Sequence, residues 1–208
     1  MYALITDGSI SKFINNPKAL VIGDTQYPAK IFQLWTQAEL NAIGIIEVTF
    51  DNTNKKDEQW YINTNQSYAY DADAGTVTAT YGSATAKKHA DTLFTAQDET
   101  DGLGTEGDVA VEGLKTKLIK NLKSQVANEL ARTDWYITRN TEKSTAIPSA
   151  ITTHRDLVRT RQATMETQIT NASDTPAIET LYTYVNTADE GDPVVMERPL
   201  GELPTLES

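Results

Sequence analysis

The chain has 208 residues, a net charge of -11 and no cysteine, so disulfides, thiolate metal sites and cysteine nucleophiles are excluded. General binding to nucleic acid is disfavoured, because carboxylates repel phosphates. No apolar run approaches the length that crosses a bilayer, so we expect no membrane insertion.

The first ninety residues read mainly as β-structure. Residues 2–5 and 10–13 flank a turn at 7–9 that contains Asp-Gly, which predicts a β-hairpin. Aromatic and aliphatic side chains fall on even positions between 60 and 70, as they do in half-buried strands. The β-branched run 76–81 continues an antiparallel pattern.

One short helix interrupts this β-structure. Thr36 precedes Glu39 by three residues, which is the spacing of a capping box and predicts a helix start. Gly44 is expected to end the helix, and the apolar residues 45–50 then predict a strand.

Residues 91–112 are acidic, rich in glycine and without periodicity, so we predict a linker or exposed loop. Residues 102–107 match the pattern G-x-G-x-x-G, which in other settings cradles phosphate. No strand precedes the glycines, and the surrounding carboxylates would repel an anion. The pattern is therefore assigned to a flexible loop.

The next segment predicts helices. An apolar residue recurs at every fourth position in one stripe: Leu114, Leu118, Leu122, Val126 and Leu130. A second helix is expected from near Pro148, with a stripe spaced by seven residues: Ile151, Val158, Met165 and Ala172, joined by Ile169. We expect the two stripes to pack as a helical hairpin, followed by a third helix over about 175–184.

The last stretch contrasts with this helical segment in charge. Residues 113–170 hold ten basic and five acidic residues, whereas residues 189–208 hold six acidic residues, one arginine and three prolines. Such a tail buries too little apolar surface to order itself, so we expect it to lie along a neighbouring subunit. Met196 and Leu200 are among its apolar anchors, and its carboxylates are expected to meet Arg155, Arg159 and Arg161.

These observations predict an α+β fold with its elements segregated along the chain. The expected parts are a β-rich domain at 1–90 with one short helix, an acidic Gly-rich linker at 91–112, a helical domain at 113–186 and an extended acidic tail at 187–208. The seven-residue spacing and the tail both favour a homo-oligomer.

No constellation of residues predicts catalysis or a bound cofactor. The two histidines, His89 and His154, stand far apart without further metal ligands at suitable spacing. Asp71 and Asp73 lie in a turn sequence, which explains them better than calcium binding does. The carboxylates are scattered, so no acid–base pair can be nominated, and we expect no enzyme activity, metal or cofactor.

Two segments resemble proteins of tailed bacteriophages. Residues 27–48 contain Y-P-A, a tryptophan, T-x-x-E-L and G-I before a strand, which resembles a module near the N-termini of tail-fibre assembly and tail-tip proteins. Residues 133–139 read T-D-W-Y-I-T-R and precede A-I-P at 146–148 and the three arginines of the second helix. This second pattern resembles the C-terminal module of phage tail assembly chaperones.

The resemblance implies a structural protein of a phage virion, tail or tail-fibre associated, made in the host bacterial cytoplasm and acting through contacts with other tail or fibre proteins. The alternative is a tail or tail-fibre assembly chaperone that does not stay in the virion. Trp135 is expected to fill the angle between two helices, with recognition of a partner as the other interpretation. Asp134 is expected to cap a turn or pair with an arginine.

Overall fold

A computed structural model describes residues 1–206 and has the expected α+β fold. The chain divides into two compact units, of which the first is Met1–Thr85 and the second begins at Ala86. Each unit has a hydrophobic core of its own. The boundary therefore lies a few residues before the predicted end of the β-rich domain.

The first unit contains most of the strands. In chain order its elements are β1 (Tyr2–Thr6), β2 (Ser9–Ile14), β3 (Leu20–Ile22), β4 (Thr25–Tyr27), α1 (Ile31–Leu34), α2 (Gln37–Ala42), β5 (Ile45–Asp51), β6 (Tyr61–Ile62), β7 (Gln66–Asp71) and β8 (Thr76–Tyr81). A two-residue strand, β9 (Thr85–Ala86), lies at the boundary. Two short helices, α1 and α2, stand where one was predicted.

Five of these strands form a mixed sheet in the order β2-β1-β5-β8-β7. The predicted hairpin of β1 and β2 and the antiparallel pairing of β7 with β8 are confirmed. Strands β5 and β8 pair in parallel, with Val48 opposite Val77, so the sheet is not wholly antiparallel as the pattern suggested. The alternation of side chains cannot distinguish the two directions, because it has a period of two in both.

Apolar residues cover both faces of this sheet. On one face, the fully buried Ala3, Val77 and Ala79 form the centre of a cluster. On the other, α1 and α2 supply Ile31 and Leu40 to a second cluster. The capping box of α2 is present as predicted, because Thr36 and Glu39 each accept a hydrogen bond from the backbone of the other.

The second unit begins with short elements and continues with helices. They are β10 (Thr92–Leu93), α3 (Ala96–Thr100), β11 (Val109–Val111), α4 (Leu114–Ala131), α5 (Asp134–Lys143), α6 (Ser149–Asn171), α7 (Thr175–Tyr182), β12 (Val185–Asn186) and β13 (Met196–Glu197). Helices α4 and α6 pack through their predicted stripes. Their shared core consists of Leu122, Val126, Val158, Met165, Ile169 and Leu200.

Residues 91–112, predicted as a linker or exposed loop, are mostly exposed but contain regular structure. Strands β10 and β11 pair, and a capping box between Thr95 and Asp98 starts α3. The Asp91 carboxylate accepts hydrogen bonds from the Gly113 backbone N–H at 2.6 Å and from the Thr116 hydroxyl at 2.8 Å, at the start of α4. Hydrogen bonds from side chains to the backbone stabilise this segment. Such bonds do not produce a periodic pattern of apolar residues, so hydrophobic periodicity could not predict these elements.

Two further expectations about the second unit are corrected. The pattern predicts that residues 133–137 interrupt the helical segment, whereas residues 134–143 form helix α5. The tail does not need a neighbour to become ordered, because Leu200 is 1% exposed within the core of its own helices and Met196 lies in β13, paired with β12. A few well-placed apolar residues therefore anchor a segment whose average composition is polar.

Candidate partner-binding surface

Thr133, Asp134 and Arg155 form a polar junction between α4, α5 and α6. The Arg155 guanidinium Nη1 donates to the Leu130 carbonyl oxygen at 2.8 Å, to Thr133 Oγ1 at 2.7 Å and to Asp134 Oδ1 at 2.8 Å. Thr133 is 1% exposed, and its own hydroxyl donates to the Leu130 carbonyl oxygen at 3.0 Å. The predicted pairing of Asp134 with an arginine is therefore present.

Arg155 is therefore buried and engaged within its own chain. It is 9% exposed, and its donors satisfy a buried hydroxyl and the end of α4. Arg155 Nη1 has two N–H groups for these three oxygens, so at least one N–H is shared between two acceptors. The T-D part of the T-D-W-Y pattern thus has a structural role.

Trp135 lies on the outer side of α5 and does not fill an angle between helices. It is 51% exposed, and its ring lies 3.9 Å from the ring of Tyr136, centroid to centroid. The Arg139 guanidinium carbon lies 4.6 Å from the Trp135 ring centroid. The three side chains form an aromatic–cation cluster in which Trp135 is exposed and Tyr136 and Arg139 are partly exposed. Stacking of this kind is typically worth about 0.5–2 kcal/mol.

The two remaining arginines of α6 differ from each other. Arg161 donates from Nη2 to the Leu200 carbonyl oxygen at 2.7 Å and from Nε to the Glu202 carbonyl oxygen at 3.2 Å. Arg161 therefore contacts the tail of its own chain, through backbone carbonyl oxygens. The expected contact was with the carboxylates of a neighbouring subunit's tail. Arg159 is exposed and pairs only loosely, at 3.4 Å, with Asp156 on the same helix.

The tail is held at its apolar anchor and along its backbone. The Leu200 side chain lies in the core of the helices, and its backbone N–H donates to the Leu181 carbonyl oxygen at 3.0 Å. The Gln168 amide donates to the Pro199 carbonyl oxygen at 3.2 Å. Met196, by contrast, is 53% exposed. Of the six predicted contact residues, Trp135, Arg159 and Met196 are therefore exposed, and Arg155, Arg161 and Leu200 are engaged within the chain.

The sequence does not reveal a polar network around Glu129. The Glu129 carboxylate contacts His154 Nε2 at 3.0 Å and accepts hydrogen bonds from Arg132 at 2.9 Å and from the Leu206 backbone N–H at 3.4 Å. Burial alone would raise the pKa of Glu129, but these hydrogen bonds and the Arg132 charge outweigh burial and lower it. No local motif marks the network, because two of its members, His154 and Leu206, lie 25 and 77 residues from Glu129.

The cavity beside β2 and β3 offers few groups that could carry chemistry. A cavity of about 720 Å³ beside β2 and β3 is lined by Lys12, Lys18, two asparagines and apolar residues, so its lining holds no carboxylate, histidine or hydroxyl.

The Asp71 carboxylate stabilises the turn that contains it, accepting hydrogen bonds from the backbone N–H groups of Asp73 and Ala74 at 3.0 Å. Within residues 1–206, no group of three His, Asp or Glu side chains is arranged to hold a metal ion.

Within the same residues, no helix has both the length and the apolar character needed to cross a membrane. Comparison with models of protein families gives no match, and comparisons with curated proteins and with solved structures give none either.

Proposed function

We propose that this protein is a non-catalytic structural component of a tailed-bacteriophage virion, associated with the tail or its fibres, and that it acts through contacts with other tail or fibre proteins. The T-D-W-Y segment and the Y-P-A segment, which resemble phage tail proteins, support this proposal. The same resemblance places it in virions assembled in a bacterial host.

The observation that carries the proposal is the cluster of Trp135, Tyr136 and Arg139, in which Trp135 is exposed and the other two side chains are partly exposed. Tryptophan, tyrosine and arginine are the residue types most enriched in the energetic centres of protein interfaces. The Asp134–Arg155 pair fixes the start of α5, so the cluster is presented on an anchored helix. An anchored cluster loses little conformational entropy when a partner covers it.

Mass spectrometry of purified virions tests the proposal. We expect the chain at a fixed ratio to the major tail protein after density-gradient purification. Phage carrying Trp135→Ala together with Arg139→Ala should incorporate less of it, whereas Leu157→Ala, which alters an exposed residue of α6, should leave the ratio unchanged. Absence of the wild-type chain from infectious particles would contradict a virion role.

The alternative is an assembly chaperone for the tail or tail fibre. The T-D-W-Y-I-T-R segment followed by A-I-P favours it, because that arrangement resembles the C-terminal module of such chaperones. A chaperone would be absent from virions but would bind an unassembled tail or fibre protein in infected cells. Co-purification with that protein before assembly, without retention in particles, would select this alternative.

A further inference from the structure

Residues 184–197, here named the arm, form a hairpin with an exposed apolar surface. The arm consists of β12, a loop and β13, which pair as a two-residue ladder. Five of its apolar side chains are exposed by 46–70%: Tyr184, Val185, Val194, Val195 and Met196. Isolated exposed apolar residues need no explanation, but a group of this density on one small hairpin indicates a contact surface.

The arm also carries negative charge without a nearby counter-ion. Asp189, Glu190, Asp192 and Glu197 have no lysine, arginine or histidine nitrogen within 4.0 Å among the described residues. The neighbouring Arg198 is committed to Glu202 at 2.8 Å. The arm therefore combines exposed apolar area with four carboxylates that can still take ionic partners.

The base of the arm is fixed to the helices. Leu200 lies in their core, and the Arg161 guanidinium binds two carbonyl oxygens just beyond the arm. The Arg198 guanidinium packs over the rings of Tyr182 and Tyr184, and the Tyr184 hydroxyl donates to the Glu202 carboxylate. The arm is thus presented from an ordered base.

We propose that the arm docks on a basic, apolar segment of another protein, in which valine-like side chains are interleaved with lysine or arginine. Charge complementarity selects this occupant. Contact between two arms would bring four further carboxylates against the first four, and nucleic acid or an anionic lipid surface would add phosphates. The proposal does not depend on the assignment to a phage virion.

Binding of a model peptide to the full-length chain tests this proposal. The probe is an eight-residue peptide of alternating lysine and valine, and the reference probe alternates glutamate and valine. Fluorescence anisotropy gives the affinity, and hydrogen exchange with mass spectrometry locates the bound peptide. We expect only the lysine peptide to bind, with slowed exchange over 184–197 and weaker binding at high salt.

Two variants separate the contributions of charge and apolar area. Asp189→Asn, Glu190→Gln and Asp192→Asn in one chain should weaken binding about tenfold (about 1.4 kcal/mol), because three exposed ion pairs with the peptide are lost. Val194→Ser with Val195→Ser should also weaken it. A matched control, Asp101→Asn with Glu106→Gln and Asp108→Asn, removes the same charge from the loop before β11 and should change binding less than twofold (about 0.4 kcal/mol).

Three results would overturn the proposal. One is equal weakening by the arm variant and the control variant, which would mean attraction to net charge alone. The second is slowed exchange outside the arm, and the third is no binding of the lysine peptide. Circular dichroism of each variant verifies that its fold is retained, which we expect because the substituted side chains are exposed.

Discussion

The Arg155 guanidinium organises the junction of three helices by itself. It donates hydrogen bonds to the Leu130 carbonyl at the end of α4, to the buried Thr133 hydroxyl and to Asp134, the first residue of α5. Loss of the guanidinium removes hydrogen bonds from a charged donor, which are typically worth more than hydrogen bonds between neutral groups. Neighbouring arginines on α6 are not equivalent, and that difference can be measured.

Replacing Arg155 by alanine should lower the free energy of unfolding of the second unit by about 2–4 kcal/mol, since three hydrogen bonds are lost and Asp134 is already partly exposed. Arg159→Ala, one turn further along α6, should cost less than about 0.5 kcal/mol. Urea unfolding followed by circular dichroism measures both. Equal costs would contradict the assigned role of Arg155.

Glu129 should make the second unit sensitive to acid. Its pKa is lowered in the folded state from the ordinary value of 4.5, so its stabilising contribution is complete above that value and is lost as the pH falls through the lowered folded value. The stability difference between wild type and Glu129→Gln should therefore be largest at pH 7 and shrink in acid. Urea titrations at pH 7, 4.5 and 3 test this, with Glu142→Gln on α5 as the control. A difference that stays constant with pH would refute the prediction.

At the scale of elements, helix α6 connects most of the second unit. One stripe of it packs on α4, its Arg155 holds α5, and its Arg161 and Gln168 hold the tail. The tail in turn contributes Leu200, whose side chain packs between the helices. The segment around Leu200 is therefore part of the helical core, and its contribution to stability can be measured.

Leu200→Ala should destabilise the second unit by about 2–5 kcal/mol, because it removes a fully buried side chain and leaves a cavity among α4 and α6. Val194→Ala, in the exposed part of the arm, should cost less than about 0.5 kcal/mol. Thermal melting of the two variants compares them. If Leu200→Ala melts like wild type, then the tail does not contribute to the core in solution.

In the first unit, Gly44 lies between α2 and β5, at a position where any residue with a side chain would be strained. Its φ is +79°, and a Cβ there would lie 2.7 Å from the carbonyl oxygen of Ile5. Gly44→Ala should cost about 2–4 kcal/mol, combining backbone strain with this clash. Gly75→Ala has the backbone strain alone, because nothing lies within 4 Å of its Cβ position, and should cost about 1 kcal/mol. Similar costs for both would mean that the Ile5 contact is unimportant.

At the scale of the whole molecule, two separate cores indicate two folding units. A domain with its own core can fold alone, so a fragment of residues 86–208 should retain cooperative thermal unfolding and the helical circular dichroism of α4, α6 and α7. The arm should stay accessible to protease in that fragment. A fragment without a cooperative transition would mean that the two units do not fold independently.

Much of this architecture follows from the sequence by itself, where local chemistry specifies it. The Thr36–Glu39 capping box, the Asp-Gly hairpin and the stripes of α4 and α6 each depend on residues close together in the chain, so periodicity and turn chemistry suffice to predict them. The pairing of Asp134 with an arginine agrees with one of the two expectations for that residue, although its partner Arg155 lies 21 positions away. Only the tertiary structure decided the parallel pairing of β5 with β8, the burial of Leu200 and the commitment of Arg155 and Arg161 within the chain. These features join residues about 20 to 80 positions apart, and whether a polar or apolar side chain is available to a partner depends on what the fold brings against it.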